Sequence, residues 1–150
     1  MTGPELKLAE FLPYQLSITS NAVSDLIARS YQGRFGLKIP EWRLMAILGE
    51  HVSLTQRDMV AATAMDKVTV NRASTALAQR GLIERAPNAA DGRSHHLTLT
   101  ATGRELYEQI VPEALAIRNE LVAMLEADEL SLLESILGKL RGRAEKIGAR

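Results

Sequence analysis

The chain is 150 residues long, 46% hydrophobic and 24% charged, ordinary values for one compact domain or two small ones with a substantial core. It contains no cysteine, which excludes thiol redox sensing and Cys-ligated zinc and fits a reducing cytoplasm. No apolar stretch approaches the roughly 18 residues needed to cross a bilayer, and the N-terminus lacks a basic stretch followed by an apolar run, so the sequence reads as soluble and cytoplasmic.

Eighteen basic and eighteen acidic side chains give a net charge of zero, but they are not evenly spread. Residues 55–104 carry +3, residues 105–138 carry −7 and residues 139–150 carry +4. A basic middle segment suits a docking surface for phosphate; a merely solvated charged face is the other reading.

From the N-terminus, Leu16, Val23, Ile27 and Tyr31 recur at helical spacing and predict a helix from Leu12 to about Phe35, closed by the Gly33–Gly36 region. Pro40 suits the first turn of a second helix carrying Trp42, Leu44, Met45, Ile47 and Leu48. Two short helices follow. Thr55 with Asp58 forms a capping-box pattern and Asp66 can cap the next helix, with only Ala64-Met65 between them. Two short helices joined so tightly predict a helix-turn-helix.

Gly81 stops the second of these helices. Leu82–Ala86 reads as a strand, residues 88–94 carry turn chemistry, and His96–Thr100 alternates polar and apolar as a half-buried strand does. Thr102 to about Leu125 predicts a long helix that Pro112 should kink, and a last helix starts near Asp128. The expected fold is mainly α with a small β-hairpin wing: a winged helix-turn-helix over residues 37–101, with long dimerisation helices in 1–36 and 102–150.

On the helix Lys67–Arg80, Val70, Ala73 and Leu77 share the core-facing side. Val68, Thr69, Asn71 and Arg72 fall on the other side near the N-terminus, the part of a recognition helix that reaches base edges. Arg can bond guanine, Asn can bond adenine, and Val can meet a thymine methyl. The competing readings are an incidental exposed valine and an arginine that contacts phosphate or only solvent. Gln56, Lys67, Ser94 and His95 complete the candidate DNA-contacting set. In the hairpin, Arg93 on a projecting tip can enter the minor groove. Asp91 would then orient it; the alternative is a surface ion pair worth about 0–1 kcal/mol.

The run Gly81-Leu-Ile-Glu-Arg85, then Asp91-Gly-Arg93, then Leu97-Thr-Leu-Thr100-Ala-Thr-Gly103, resembles the MarR family of multiple-antibiotic-resistance-type regulators. The resemblance extends over roughly residues 12–140. It implies a homodimer acting on double-stranded DNA at a pseudo-palindromic operator, with Arg93 in the minor groove. Asn71 and Arg72 stand where the family often has Thr-Arg, so base preference does not carry over. The resemblance also implies a small, often aromatic, anionic ligand, an acid or a thioester, that releases a repressor from its operator. Trp42 and Arg43 could stack on and pair with such a ligand, and Ser20 and Ser24, in a small-residue stripe with Ser17, could line its cavity. Ordinary core for Trp42 and close helix packing for the serines are the alternatives. A dimeric winged-helix interaction module without specific DNA binding is the alternative function.

No cofactor, metal or catalytic site is expected. His95 and His96 are adjacent on a strand and so point to opposite faces, and the sequence presents no nucleophile–base arrangement or phosphate-cradling loop.

Overall fold

The computed structural model describes residues 3–88 and 91–150; the side chains of residues 88 and 91–94 lie outside that description. The elements are a 3-10 turn (Leu8–Glu10), α1 (Leu12–Phe35), α2 (Ile39–Glu50), β1 (Leu54–Thr55), α3 (Gln56–Thr63), α4 (Lys67–Gln79), β2 (Ile83–Asn88), β3 (Asp91–Leu99), α5 (Ala101–Val122) and α6 (Ala127–Gly148). Two compact units divide the chain, Met1–Val111 and Pro112–Arg150. The boundary falls at Pro112, inside α5, where the missing N–H interrupts the helix ladder.

In the first unit each helix starts or stops for a visible chemical reason. α1 ends because Gly36 turns left-handed (φ 65°), which lets the Gly36 N–H reach the Gln32 carbonyl and brings Leu37 back into the core. α2 opens with the Glu41 carboxylate accepting the Lys38 N–H at 3.0 Å. α3 opens on a reciprocal pair: the Asp58 N–H donates to Thr55 Oγ1 at 3.0 Å and the Thr55 N–H to Asp58 Oδ2 at 3.1 Å. It stops at Ala64, which takes φ 55° without being glycine, a strained conformation that turns the chain sharply into α4.

The core of this unit comprises Leu37, Leu44, Met45, Leu48, Met59, Val70, Leu77, Leu97 and Ile110, all fully buried. The three strands form an antiparallel sheet in the order β1-β3-β2, with Leu97 of β3 paired to Leu54 on one side and Arg85 on the other. Thr100 joins sheet to helix: its hydroxyl donates to the Gly81 carbonyl (2.6 Å) and accepts the Gly103 N–H (3.0 Å). Gly103 lies so close to the Leu82 carbonyl oxygen that a methyl there would overlap it. The Leu-Thr-x-x-Gly run is therefore a packing requirement at the strand–helix junction.

The second unit is a helical pair. Arg118 and Glu134 approach to 3.9 Å across it, but both are more than half exposed, so the pair contributes little. No residue of α6 is buried, and Leu132, Leu133, Ile136, Leu137 and Ile147 are exposed.

The architecture is the mainly helical winged fold expected, and the two capped starts at Thr55 and Asp66 stand where the sequence put them. Two local readings change. β1 is an additional strand, too short for any periodicity to show. β2 and β3 also extend through Asn88 and from Asp91, into the segment read as turn, with a register shift at Pro87/Asn88. The ladder can tolerate Pro87 because β2 is an edge strand.

Candidate nucleic-acid interface

α4 carries the two faces that its periodicity implies. Val70, Ala73, Ser74 and Leu77 are buried, whereas Lys67, Val68, Asn71 and Arg72 are exposed and Thr69 half-buried. Val68 is 60% exposed, so its apolar side chain is unsatisfied by the fold itself. Asp66 holds the helix start, its Oδ1 accepting the Thr69 N–H at 2.7 Å. That backbone hydrogen bond, reinforced by Thr69's side chain, keeps the Asp66 carboxyl below its ordinary pKa. Asp58 is lowered in the same way, first by the Thr55 hydroxyl and backbone bonds, then by the charges of His96 and Arg57.

Asn71 is not free. Gln56 Nε2 donates to Asn71 Oδ1 at 3.3 Å, so two of the candidate residues already form a unit across α3 and α4. The pairing engages the Asn71 oxygen and leaves its amide hydrogens available for an acceptor on a base. Arg72 borders a groove of about 260 Å³ between α4 and the start of α2, shared with Lys38, Glu41 and Thr69.

Arg85 had no assigned role in the sequence, and the structure gives it one. From β2 it donates to Ser74 Oγ (2.6 Å), Thr75 Oγ1 (2.8 Å) and the Asn71 carbonyl (3.4 Å), fastening the sheet to α4. Strand alternation could have found it, because Ile83, two residues earlier, is buried, and Arg85 shares its face. His96 is half-buried, its Nδ1 lying 3.1 Å from Ser53 Oγ, while its neighbour His95 is exposed. Of the remaining wing candidates, Asp91, Arg93 and Ser94 lie on β3, and their side chains fall outside the described residues.

The four candidate ligand residues lie on α1 and α2. Ser20 and Arg43 are exposed, and Ser24 and Trp42 are half-buried. The Trp42 ring packs against Tyr31 with centroids 4.8 Å apart, so part of its face is covered by its own chain. Among the described residues no group of three or more His, Cys, Asp or Glu side chains could hold a metal ion, and no helix is long and apolar enough to cross a membrane.

A family model described as MarR family matches residues 35–94, the segment from the end of α1 into β3. The chain is 27% identical over 141 residues to YdgJ of Bacillus subtilis, an uncharacterized HTH-type transcriptional regulator, covering 94% of this chain and 83% of that protein. It is 29% identical over 98 residues to the Escherichia coli transcriptional repressor MprA, covering 65% of this chain and 56% of MprA. Among solved structures it is similar to BpsR of Bordetella bronchiseptica, studied for the regulation of its DNA binding by 6-hydroxynicotinic acid. That match has 25% identity and a TM-score of 0.84, over 93% of this chain and 98% of that one. With the capped helix-turn-helix, the three-stranded wing sheet and the Thr100–Gly103 junction in place, the chain is similar in sequence and fold to the MarR family of transcriptional regulators, the family model matching its helix-turn-helix and wing segment.

Proposed function

We propose that the protein is a cytoplasmic repressor that binds a pseudo-palindromic operator as a homodimer and is released by a small anionic aromatic ligand. The observation that carries this reading is the outward face of α4. It offers Lys67, Val68, Thr69, Asn71 and Arg72 at the N-terminal end of a helix whose opposite face is fully packed. Such a helix can enter the major groove without unfolding anything. Arg72 reads guanine and Val68 meets a thymine methyl. Asn71, with its oxygen engaged by Gln56, donates to a base acceptor instead of bonding adenine through both atoms. Arg93 and His95 contact the backbone and minor groove from the wing, with Asp91 and Ser94 beside them.

Homodimerisation is supported by the apolar side chains left exposed on α6 and along α1, including Leu12, Leu16 and Ile18. A second copy placing its own α4 about 34–36 Å away would meet the next turn of the duplex. The repressor assignment follows the similarity to MprA, and the class of ligand follows the similarity to BpsR. Trp42, tilted against Tyr31, gives an aromatic ligand a ring partner, with Arg43 and the Ser20–Ser24 stripe as polar contacts.

A salt series on an operator duplex tests the reading. Wild type should lose affinity steeply as salt rises, and Arg93→Ala should bind more weakly with a salt slope smaller by about 1. Affinity no better for the selected operator than for random duplex would overturn it. Titrating aromatic acids and thioesters against the fluorescence of Trp42, the single tryptophan, tests the ligand; an unchanged signal together with unchanged operator binding removes the pocket from this place.

A further inference from the structure

The far end of α4 bears a contact that DNA reading alone does not require. Arg80 caps the C-terminus of α4, and its guanidinium donates from Nη1 to the Gly36 carbonyl and from Nη2 to the Phe35 carbonyl, each at 3.1 Å. Those carbonyls lie at the C-terminal end of α1, where a helix leaves its last acceptors without intrahelical partners and concentrates partial negative charge. A Cβ at Gly36 would meet the two Arg80 nitrogens at 3.8 and 3.9 Å, ordinary contact distances, so glycine is required here by its left-handed φ of 65° and the guanidinium sits directly beside it. The planar fork of arginine presents N–H groups to two carbonyls at once in a fixed geometry, which the compact, freely rotating ammonium of a lysine does not impose.

The last turns of α1 have a second, chemically different attachment. Tyr31 and Phe35 are buried, and the Tyr31 ring packs against Trp42 of α2. The apolar burial behind this contact is non-directional, so it fixes where α1 ends more firmly than the angle at which it leaves. Two directed hydrogen bonds from Arg80, made to the backbone carbonyls of the same final turn, restrain that angle.

We propose that Arg80 is a positioning residue that sets the direction of the recognition helix α4 against α1, and thereby the separation of the two recognition helices in the dimer. The inference rests on the homodimeric, operator-binding reading above. Arg80 need not touch DNA to control which half-site spacing the protein accepts.

The test uses the full chain and its selected operator, with base pairs added to or removed from the centre. Each base pair changes the separation of half-sites by about 3.4 Å and their relative rotation by about one tenth of a turn. Wild type should discriminate against off-spaced duplexes by about a hundredfold, and Arg80→Met should reduce this to about tenfold or less. Base preference within a half-site and the mass of the dimer should be unchanged. Arg80→Lys, which keeps the charge at the end of α1, should fall between the two, and it supplies the answer should Arg80→Met fail to fold. A spacing profile identical to wild type, or a uniform loss of affinity at every spacing, overturns the inference while leaving the functional reading intact. A wild type that is monomeric, or that selects no paired half-sites, overturns both.

Discussion

α4 and α6 are both amphipathic helices, yet only α4 has its apolar face sealed within the chain. Val70, Ala73 and Leu77 of α4 are packed into the core, so what remains outside is a polar surface with one exposed valine. α6 runs 22 residues without a single buried one, and Leu133, Ile136 and Leu137 lie open along it. The helix that we assign to DNA reading is complete in one copy, whereas the helix that we assign to dimerisation is unfinished in one copy. Reading and assembly are thus divided between elements whose sequence patterns look alike, and burial is what separates them.

Placing charges on the open face of α6 should break the comparison most severely. The double substitution Ile136→Asp, Leu137→Asp should yield a monomer by light scattering and lower operator affinity by at least about 100-fold, since each half-site must then be bound alone. Helix content by circular dichroism should stay near wild type, because no contact of the core is lost. Next in size, Leu77→Ala on the sealed face of α4 should cost about 2–5 kcal/mol of unfolding free energy in urea titrations. The open face of α4 should show the opposite pattern. Arg72→Ala or Asn71→Ala should cost about 1–3 kcal/mol of operator binding and relax preference at one base pair per half-site. Stability in the same urea titration should change by no more than about 0.5 kcal/mol. Equal loss on every DNA sequence would reassign the side chain to a phosphate contact.

The smallest effect concerns the caps that orient α3 and α4. Asp58 and Asp66 have pKa values lowered in the folded chain by bonds to the Thr55 and Thr69 N–H groups and hydroxyls. A depressed carboxylate contributes its stability in full above the unfolded value, here 3.8, and loses it as pH falls through that value towards the folded one. Stability should therefore fall below about pH 4 and be flat from there towards neutrality as far as these two groups are concerned. Thr55→Ala should cost about 1 kcal/mol at neutral pH and make the acid-side loss shallower. An acid limb unchanged in Thr55→Ala would show that the cap at Asp58 does not contribute to it.

Local chemistry made most of this fold legible in the sequence. Caps, glycine stops and helical periodicity act within a few residues, so Thr55, Asp66, Gly36 and Gly81 could be assigned directly. The outward and inward sets on α4 followed from 3.6-residue geometry alone. What was hidden depends on distant pairing. β1 is only two residues long and exists because Leu54 and Thr55 meet Leu97 and His96. Arg85 and Arg80 appeared in the sequence as ordinary positive charges, and their partners lie 10–14 and 44–45 positions away. Trp42 was legible as an aromatic near a helix start, but its packing against Tyr31 was not, because that contact joins two helices whose relative angle no periodicity encodes.

The central claim is that two copies of α4 read two half-sites of one duplex. Selection of bound sequences from random duplex DNA, at physiological salt and with the full chain, tests it most directly. The account predicts enrichment of an inverted pair of half-sites whose centres lie about one turn apart, 10–10.5 base pairs, occupied by two protein chains per duplex. No enrichment, or enrichment of a single half-site occupied by one chain, would contradict it.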